Sequence, residues 1–390
     1  MRTDTYDVAV IGSGVFGVWT AYLLRQSGAE VILLDAHGPG NSRASSGGES
    51  RIIRMGYGPD EIYTRSALRS SSLWREFFAR IESPTMPTSQ RLFRQTGVLW
   101  LARESDSYCE STLEILTRLG IHVERLDPSE LQERYPQISF AGVGWGILEP
   151  TSGALMARRA VQALASQTEA EGTTIKRESV APIGDGSRLD FISTAQSPRI
   201  LADKFVFACG PWLPKLFPDL LGQKIHITRQ ELFFFGTPAG DKRFGPEETP
   251  IWVDFNDQAY AIPDLEQRGF KIAIDAHGPE FDPDAGERVG TEAGIKAART
   301  YLTKRVPDLA NAPVIESRVC QYENTSNGDF LIDRHPHFEN VWFVGGGSGH
   351  GFKHGPAVAE YVLSMISGSA TTEPRFALKT KETVQHRQVY

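Results

Sequence analysis

Cysteine is scarce in this chain of 390 residues, which has three in all: Cys109, Cys209 and Cys320. So few, so far apart, make no disulfide framework, and no interval between them has the spacing of a zinc site, so no metal is expected. A reducing, cytoplasmic compartment is the expectation. Basic residues are also in the minority, 41 Lys and Arg against 48 Asp and Glu, for a net charge of −7. A nucleic-acid partner, which favours a basic face, is therefore not expected. Long apolar runs are missing as well. The longest, such as 8–12 and 31–34, stop at glycine or charge, far short of a membrane span. From Met1 the chain enters a predicted strand at about Tyr6, which leaves no room for a signal peptide. The last four residues carry no peroxisomal Ser-Lys-Leu address.

What remains is an ordinary globular composition, 40% hydrophobic and 23% charged, on a chain long enough for two packed domains. The start reads as strand 6–11, helix 15–26 and strand 30–35, with Gly28 where the helix must stop. Further helices are predicted over 66–81, 111–119 and 154–166, the last entered from a turn at 150–153. Strand patterns recur at 97–101, 204–208, 224–235, 251–255, 260–263, 270–275 and 341–344, and a final helix covers 355–366. Acidic and proline-rich connections between the strands of the 224–275 block suit a mostly antiparallel sheet. The organisation is discontinuous: 1–82, 145–215 and 316–390 form a dinucleotide-binding part, and 83–144 with 216–315 form a substrate part.

Gly12-Ser13-Gly14-Val15-Phe16-Gly17 follows the first strand and opens the helix. Gly12 permits a tight turn, Gly14 lets backbone approach a pyrophosphate, and Gly17 lets helix and strand pack closely. The helix N-terminus offers N–H groups and partial positive charge to phosphates. Asp35, ending the second strand, is placed to accept hydrogen bonds from ribose hydroxyls and would repel a 2′-phosphate. The fingerprint alone leaves FAD and NAD both open. Arg43, Arg51 and Arg54 form a basic cluster within an acidic protein, able to focus an anionic ligand.

Two further segments carry a more specific signal. Ser45-Ser46-Gly47-Gly48-Glu49-Ser50-Arg51-Ile52-Ile53-Arg54 resembles the flavin-contacting loop of the monomeric sarcosine oxidase family, within the D-amino acid oxidase superfamily. Ser348-Gly349-His350-Gly351-Phe352-Lys353 resembles that family's flavin motif. Between them, Val319-Cys320-Gln321-Tyr322 and Phe330-Leu331-Ile332-Asp333 resemble the region holding its covalent flavin cysteine. Relatives in the family include N-methyltryptophan oxidase, pipecolate oxidase and fructosyl amino acid oxidase. The resemblance covers nearly the whole chain. It implies an α/β fold: a Rossmann-like FAD-binding domain of the glutathione reductase type, with an inserted, mostly antiparallel β substrate domain carrying helices. It also implies FAD bonded through an 8α-S-cysteinyl link to Cys320, whose thiolate a basic neighbourhood from His350 and nearby arginines would favour. Ser45, Ser50, Arg51, Gly347, Gly349, His350, Gly351, Phe352 and Lys353 would contact the flavin. The backbone N–H groups of 349–352 would stabilise negative charge on the reduced ring. Cys109 and Cys209 read as small buried hydrophobes.

In the resembled family the substrate is a secondary amine bearing a carboxylate. It gives a hydride to flavin, the imine hydrolyses, and oxygen becomes hydrogen peroxide. Carried over residue by residue, Arg54 and Lys353 match the carboxylate clamp, and Arg51 the residue on the flavin face. Tyr260 and Tyr322 match tyrosines lining the pocket. Lys271 matches the lysine that activates oxygen. For the two arginines the ordinary alternative is ion pairing with Glu49 or Asp60; for Lys271 it is an exposed edge strand. Asp275 stands where sarcosine oxidases of small substrates have a histidine, and His277 would share its face if the strand continued. A carboxylate there favours a second positive charge or a hydroxylated substituent, which counts against plain sarcosine and leaves open larger substrates of the relatives, such as N-alkylated or glycated amino acids, saccharopine or pipecolate. His354-Gly355-Pro356 is a further departure from the family pattern. A dehydrogenase with a non-oxygen acceptor and a non-catalytic flavoprotein are the rival readings. The assembly is expected to be a monomer or homodimer.

Overall fold

The computed structural model describes residues 5–386. Its first sheet runs, in spatial order, Leu331–Arg334, Val341–Gly345, Ile200–Phe207, Thr5–Ile11, Val31–Leu34 and Thr174–Lys176, with Phe191–Ile192 pairing on Ile200–Phe207. The four central strands are mutually parallel. Val8 and Val10 join one apolar cluster, with Trp19 and Trp74, while Ala9 and Ile11 join another on the opposite face, with Phe205 and Phe207. A sheet buried on both faces needs continuous apolar runs rather than alternation, which is the pattern of 8–11 and 31–34. Helix Val15–Gln26 covers one face beside Gly355–Ile366 and Ala157–Ala170. This is the expected Rossmann-like α/β layer.

The second sheet has eight strands in the order Val314–Thr325, Ile225–Phe235, Phe270–Ile274, Ala259–Ile262, Ile251–Asp254, Val98–Ala102, Trp145–Glu149 and Glu124–Leu126. Every pairing is antiparallel except Ile251–Asp254 on Val98–Ala102. The sequence-drawn boundaries at 145 and 316 place Trp145–Glu149 and most of Val314–Thr325 in the dinucleotide part, but their hydrogen bonds belong to this second sheet. In the long ladder between Ile225–Phe235 and Val314–Thr325, Cys320 lies opposite Gln230 and Tyr322 opposite Thr228, on the edge strand of the second sheet.

Three predicted helices change their limits, and that expected over 111–119 runs Ser107–Arg118, its start capped by the Asp106 carboxylate accepting from Cys109 N. Glu61–Ile81 begins five residues before 66, because Pro59 and Asp60 stop the chain there and the apolar stripe already includes Tyr63. The helix expected from 154 starts at Ala157. Residues Gly153–Leu155 instead pair with Arg51–Ile53 and Phe93–Arg94 in a three-stranded sheet, a tertiary demand that local periodicity does not carry. Helix Glu292–Arg305, unassigned by pattern, is capped by the Thr291 hydroxyl accepting from Gly294 N and packs on the second sheet. It ends in Arg305, which is fully buried with Asp254 at 2.8 Å. Cys109 lies in an apolar cluster and Cys209 packs against another, as expected of small hydrophobes. No helix among the described residues is long and apolar enough to cross a membrane.

Candidate functional site

A cleft of about 500 Å³ runs along the carboxyl edge of the first sheet. At one end Asp35 accepts from Ser13 N at 2.8 Å and from His37 N and Gly38 N at 2.7 and 2.8 Å. Three N–H groups hold the carboxylate in place and leave lone-pair capacity on its oxygens for a ribose. The glycine turn is tight: Gly12 has φ +102°, and a Cβ on it would lie 2.3 Å from Ala208 O. A Cβ on Gly17 would meet Gly12 O at 1.8 Å, the close helix–strand approach that the fingerprint predicts. Ser46 Oγ accepts from Val15 N at 3.0 Å, binding the 45–54 loop to the helix start.

At its far end the cleft reaches Arg51, Cys320, Tyr322, Gly349 and Phe352. These same five residues line a second, compact chamber of about 80 Å³. The two spaces therefore share a wall. Arg51 Nη2 donates to Ser45 O at 2.6 Å and to Cys320 Sγ at 3.2 Å. Burial opposes the Arg51 charge, but Cys320, Tyr260 and Tyr322 outweigh it and hold the guanidinium above its ordinary range. His350 does not supply the basic neighbourhood expected for Cys320. Its ring stacks on Phe330 at 5.0 Å and meets Gly328 O at 3.2 Å and the Tyr57 hydroxyl. The 349–352 backbone is also partly committed: His350 N and Gly351 N both donate to Gly347 O in a turn that precedes the 3-10 turn Phe352–His354.

The chamber collects the predicted amine-site residues: Arg54, Tyr260, Lys271, Asp275, Tyr322 and Lys353. Arg54 is 5% exposed and donates to Gly56 O. Its guanidinium lies 4.6 Å from the ring centres of both Tyr57 and Trp100 and 5.5 Å from that of Phe255. Neither arginine pairs with Glu49 or Asp60, which bind Arg158, Arg268 and Arg318, and Arg375, respectively. Lys271 is 1% exposed rather than edge-exposed, since its strand is flanked on both sides. It donates to Ser50 O at 3.2 Å, and burial together with Arg51 lowers it from 10.5 to about 7. Burial pushes the Asp275 carboxyl up to about 7, although the Tyr322 hydroxyl donates to it at 2.6 Å and Arg54 and Lys353 pull the other way. Burial raises the phenols of Tyr260 and Tyr322. His277 is absent from the chamber. The strand stops at Ile274, so the two-residue alternation that would align it with Asp275 ends too soon.

Several side chains at the site carry no motif. Glu149 accepts from Met55 N, Gly56 N, Trp100 Nε1 and Ser152 Oγ, which fixes the chain beneath Arg54. Glu323, two residues past the sheet position of Gln321, lines the cleft. It accepts from Gly347 N at 3.2 Å, while its Oε2 is buried without a partner. Burial pushes it up to about 7. Only the alternation 321, 323 along Val314–Thr325 hinted at it. Ser13 Oγ is likewise buried and unsatisfied. Orphaned polar atoms beside a glycine-walled cleft, with a fixed carboxylate at one end and a cationic chamber at the other, fit an extended dinucleotide cofactor. Among the described residues no group of side chains could hold a metal ion.

Comparison with known proteins agrees. The model of the FAD dependent oxidoreductase family, DAO, matches residues 7–365. The chain is 30% identical over 376 residues to the monomeric sarcosine oxidase of Bacillus sp. (strain B-0618), covering 94% of this chain and 93% of that one. It is 27% identical to the N-methyl-L-tryptophan oxidase of Salmonella arizonae, covering 91% and 93%. Among solved structures, the L-proline dehydrogenase of P. horikoshii superposes with a TM-score of 0.81 at 22% identity, over 96% of this chain and 97% of that one. By its sequence, its fold and the furnishing of its cleft, the chain belongs to the FAD dependent oxidoreductase family.

Proposed function

We propose that this FAD-dependent oxidoreductase is an oxidase of secondary amines, acting on N-substituted amino acids. The observation that carries the reading is the wall shared by cleft and chamber. Arg51, Cys320, Tyr322, Gly349 and Phe352 would hold the flavin ring beside a space lined by Arg54, Lys271 and Lys353 and by two carboxylates, Asp275 and Glu231. Bound there, FAD would supply a two-electron acceptor for the hydride of the carbon beside nitrogen, with hydrolysis of the imine by water and reduction of oxygen to hydrogen peroxide completing the oxidase reaction.

The chain's own residues do the rest. Arg54, locked between aromatic rings, presents its fork to the substrate carboxylate, and Lys353 adds a second donor. Tyr260 offers a ring face to the alkyl part of the amine. Asp275, paired with Tyr322, favours a cationic or hydroxylated substituent on nitrogen. Lys271 holds positive charge where oxygen is reduced. Arg51, which donates to Cys320 Sγ at 3.2 Å, holds the sulfur at the wall where Cys320 would be the attachment point for the cofactor. Similarity to the Bacillus and Salmonella oxidases supports the substrate class.

An anaerobic panel of N-substituted amino acids, scored by loss of flavin absorbance, tests this. Bleaching followed by one peroxide per substrate on admission of oxygen is the expected result. Bleaching with no peroxide makes the protein a dehydrogenase, and no bleaching with any amine removes the catalytic reading.

A further inference from the structure

A file of hydrogen bonds leaves the chamber through residues that the amine chemistry does not use. Lys353 Nζ, on the chamber wall, lies 2.6 Å from the Tyr57 hydroxyl and 3.0 Å from His350 O. The same hydroxyl is 2.7 Å from His354 Nε2. His354 Nδ1 is in turn 2.9 Å from Ser66 Oγ. Lys353, Tyr57 and His354 are 4%, 0% and 0% exposed. Ser66, on helix Glu61–Ile81, is only half-buried. The file thus begins at the chamber and ends where solvent reaches the chain.

Charge supplies a reason for such a file. Arg54, Glu149 and Asp275 act on Lys353; Arg54, Lys353 and His350 act on His354, with the rings of Tyr63 and Phe330 packed against it. Burial, reinforced by Arg54, holds Lys353 well below its ordinary range, and burial does the same to His354. An anion entering the chamber reverses the balance at Lys353, because opposite charge favours the protonated amine. Lys353 must then gain a proton at a buried position.

We propose that Tyr57, His354 and Ser66 form a proton path that loads Lys353 when a carboxylate enters the chamber and unloads it on departure. The inference rests on the reading of the chamber as a carboxylate site. His354 is the positioning residue at its centre. A neutral imidazole offers one donor and one acceptor nitrogen, so a single ring can pass a proton through. The Tyr57 O–H proton moves to Lys353 Nζ, the His354 Nε2 proton to Tyr57, and the Ser66 proton to Nδ1; solvent then reprotonates Ser66. One proton is delivered, no electron moves, and the ring is left in its other tautomer.

The holoenzyme mixed rapidly with acetate, a carboxylate without an amine, tests the path in weakly buffered, mildly alkaline solution with a pH indicator. Flavin absorbance reports binding, and the indicator reports proton uptake. The parent is expected to take up roughly one proton per acetate bound. His354→Gln can still hydrogen-bond both neighbours but cannot exchange donor and acceptor roles. It should bind acetate while taking up the proton more slowly, on the order of a hundredfold. Tyr57→Phe should show the same loss, and serves as the comparison if the glutamine variant fails to retain FAD. Proton uptake by His354→Gln at the parental rate overturns the path. Acetate binding to the parent without any uptake overturns it while leaving the carboxylate site standing; absence of acetate binding removes both.

Discussion

Replacement of Lys271 by methionine separates the two halves of the proposed cycle. The lysine is 1% exposed, donates to Ser50 O and Oγ at 3.2 and 3.5 Å, and has the Arg51 cation as a neighbour. Burial and Arg51 bring it from 10.5 to about 7, a fall of 10.5 − 7 = 3.5. At about 1.4 kcal/mol per unit, the folded site disfavours the ammonium by about 5 kcal/mol. An anion forming about 4 Å away, at an effective dielectric constant of about 20, restores about 4 kcal/mol. Near pH 7 Lys271 is therefore poised to complete its charge as negative charge develops beside it. Lys271→Met keeps the chain length and removes that response. The oxygen half-reaction should fall on the order of a hundredfold to a thousandfold, as when a preorganised donor is lost, and substrate-driven bleaching should fall much less. The protonated fraction of Lys271 declines as pH rises through about 7. In the parent, reaction of the reduced enzyme with oxygen should therefore slow on the alkaline side, and in the variant it should be flat. Double-mixing stopped-flow, with anaerobic bleaching first and oxygenated buffer second, measures both steps. Equal losses in the two steps, or a parental pH profile in the methionine variant, would refute the reasoning.

Three other outcomes are expected. The parent should keep its yellow colour in acid precipitate and Cys320→Ala should release its flavin; free flavin from the denatured parent removes the covalent assignment. Asp275 ionises as pH rises through about 7, so affinity for substrates with a cationic N-substituent should rise over that interval relative to neutral ones. Asp275→Asn should flatten the difference, and parallel affinity profiles for parent and variant would count against the subsite. Arg305→Met takes from the fully buried Asp254 its 2.8 Å ion pair and leaves it Arg103 at 3.5 Å and the Tyr301 hydroxyl at 3.3 Å; the change should cost about 3–5 kcal/mol in urea unfolding, with kinetic constants per folded site unchanged, and a smaller loss would mean that Arg103 and Tyr301 suffice to hold the carboxylate.

The dinucleotide half was legible because its signals are local. Helix Val15–Gln26 and helix Gly355–Ile366 have their predicted limits, since glycine turns and apolar periodicity act within a few residues of each other. The strand runs of 224–275 also emerged to within a residue or two, each bounded by proline, glycine or acidic turns. By contrast, Gly153–Leu155 has an apolar pattern compatible with a helix start, and only the presence of Arg51–Ile53 alongside makes it a strand. Arg51, Cys320, Tyr322, Gly349 and Phe352, each quoted from a motif, lie around one wall. Glu149, Trp100, Phe255 and Glu323 did not announce themselves, because an isolated acid or aromatic in a strand reads as ordinary packing.

By itself the sequence determined the nucleotide turn, the kind of fold, and which cations and tyrosines were candidates for chemistry, since each depends on residue type at short spacing. The tertiary structure alone decided their states. It put Arg51 rather than His350 beside Cys320, ended a strand at Ile274 so that His277 misses the chamber, and shielded Lys271 and Lys353 from water, with Asp275 half-buried beside them. The physical reason is that charge and protonation answer to the dielectric and to neighbours distant in the chain, and no local pattern encodes either.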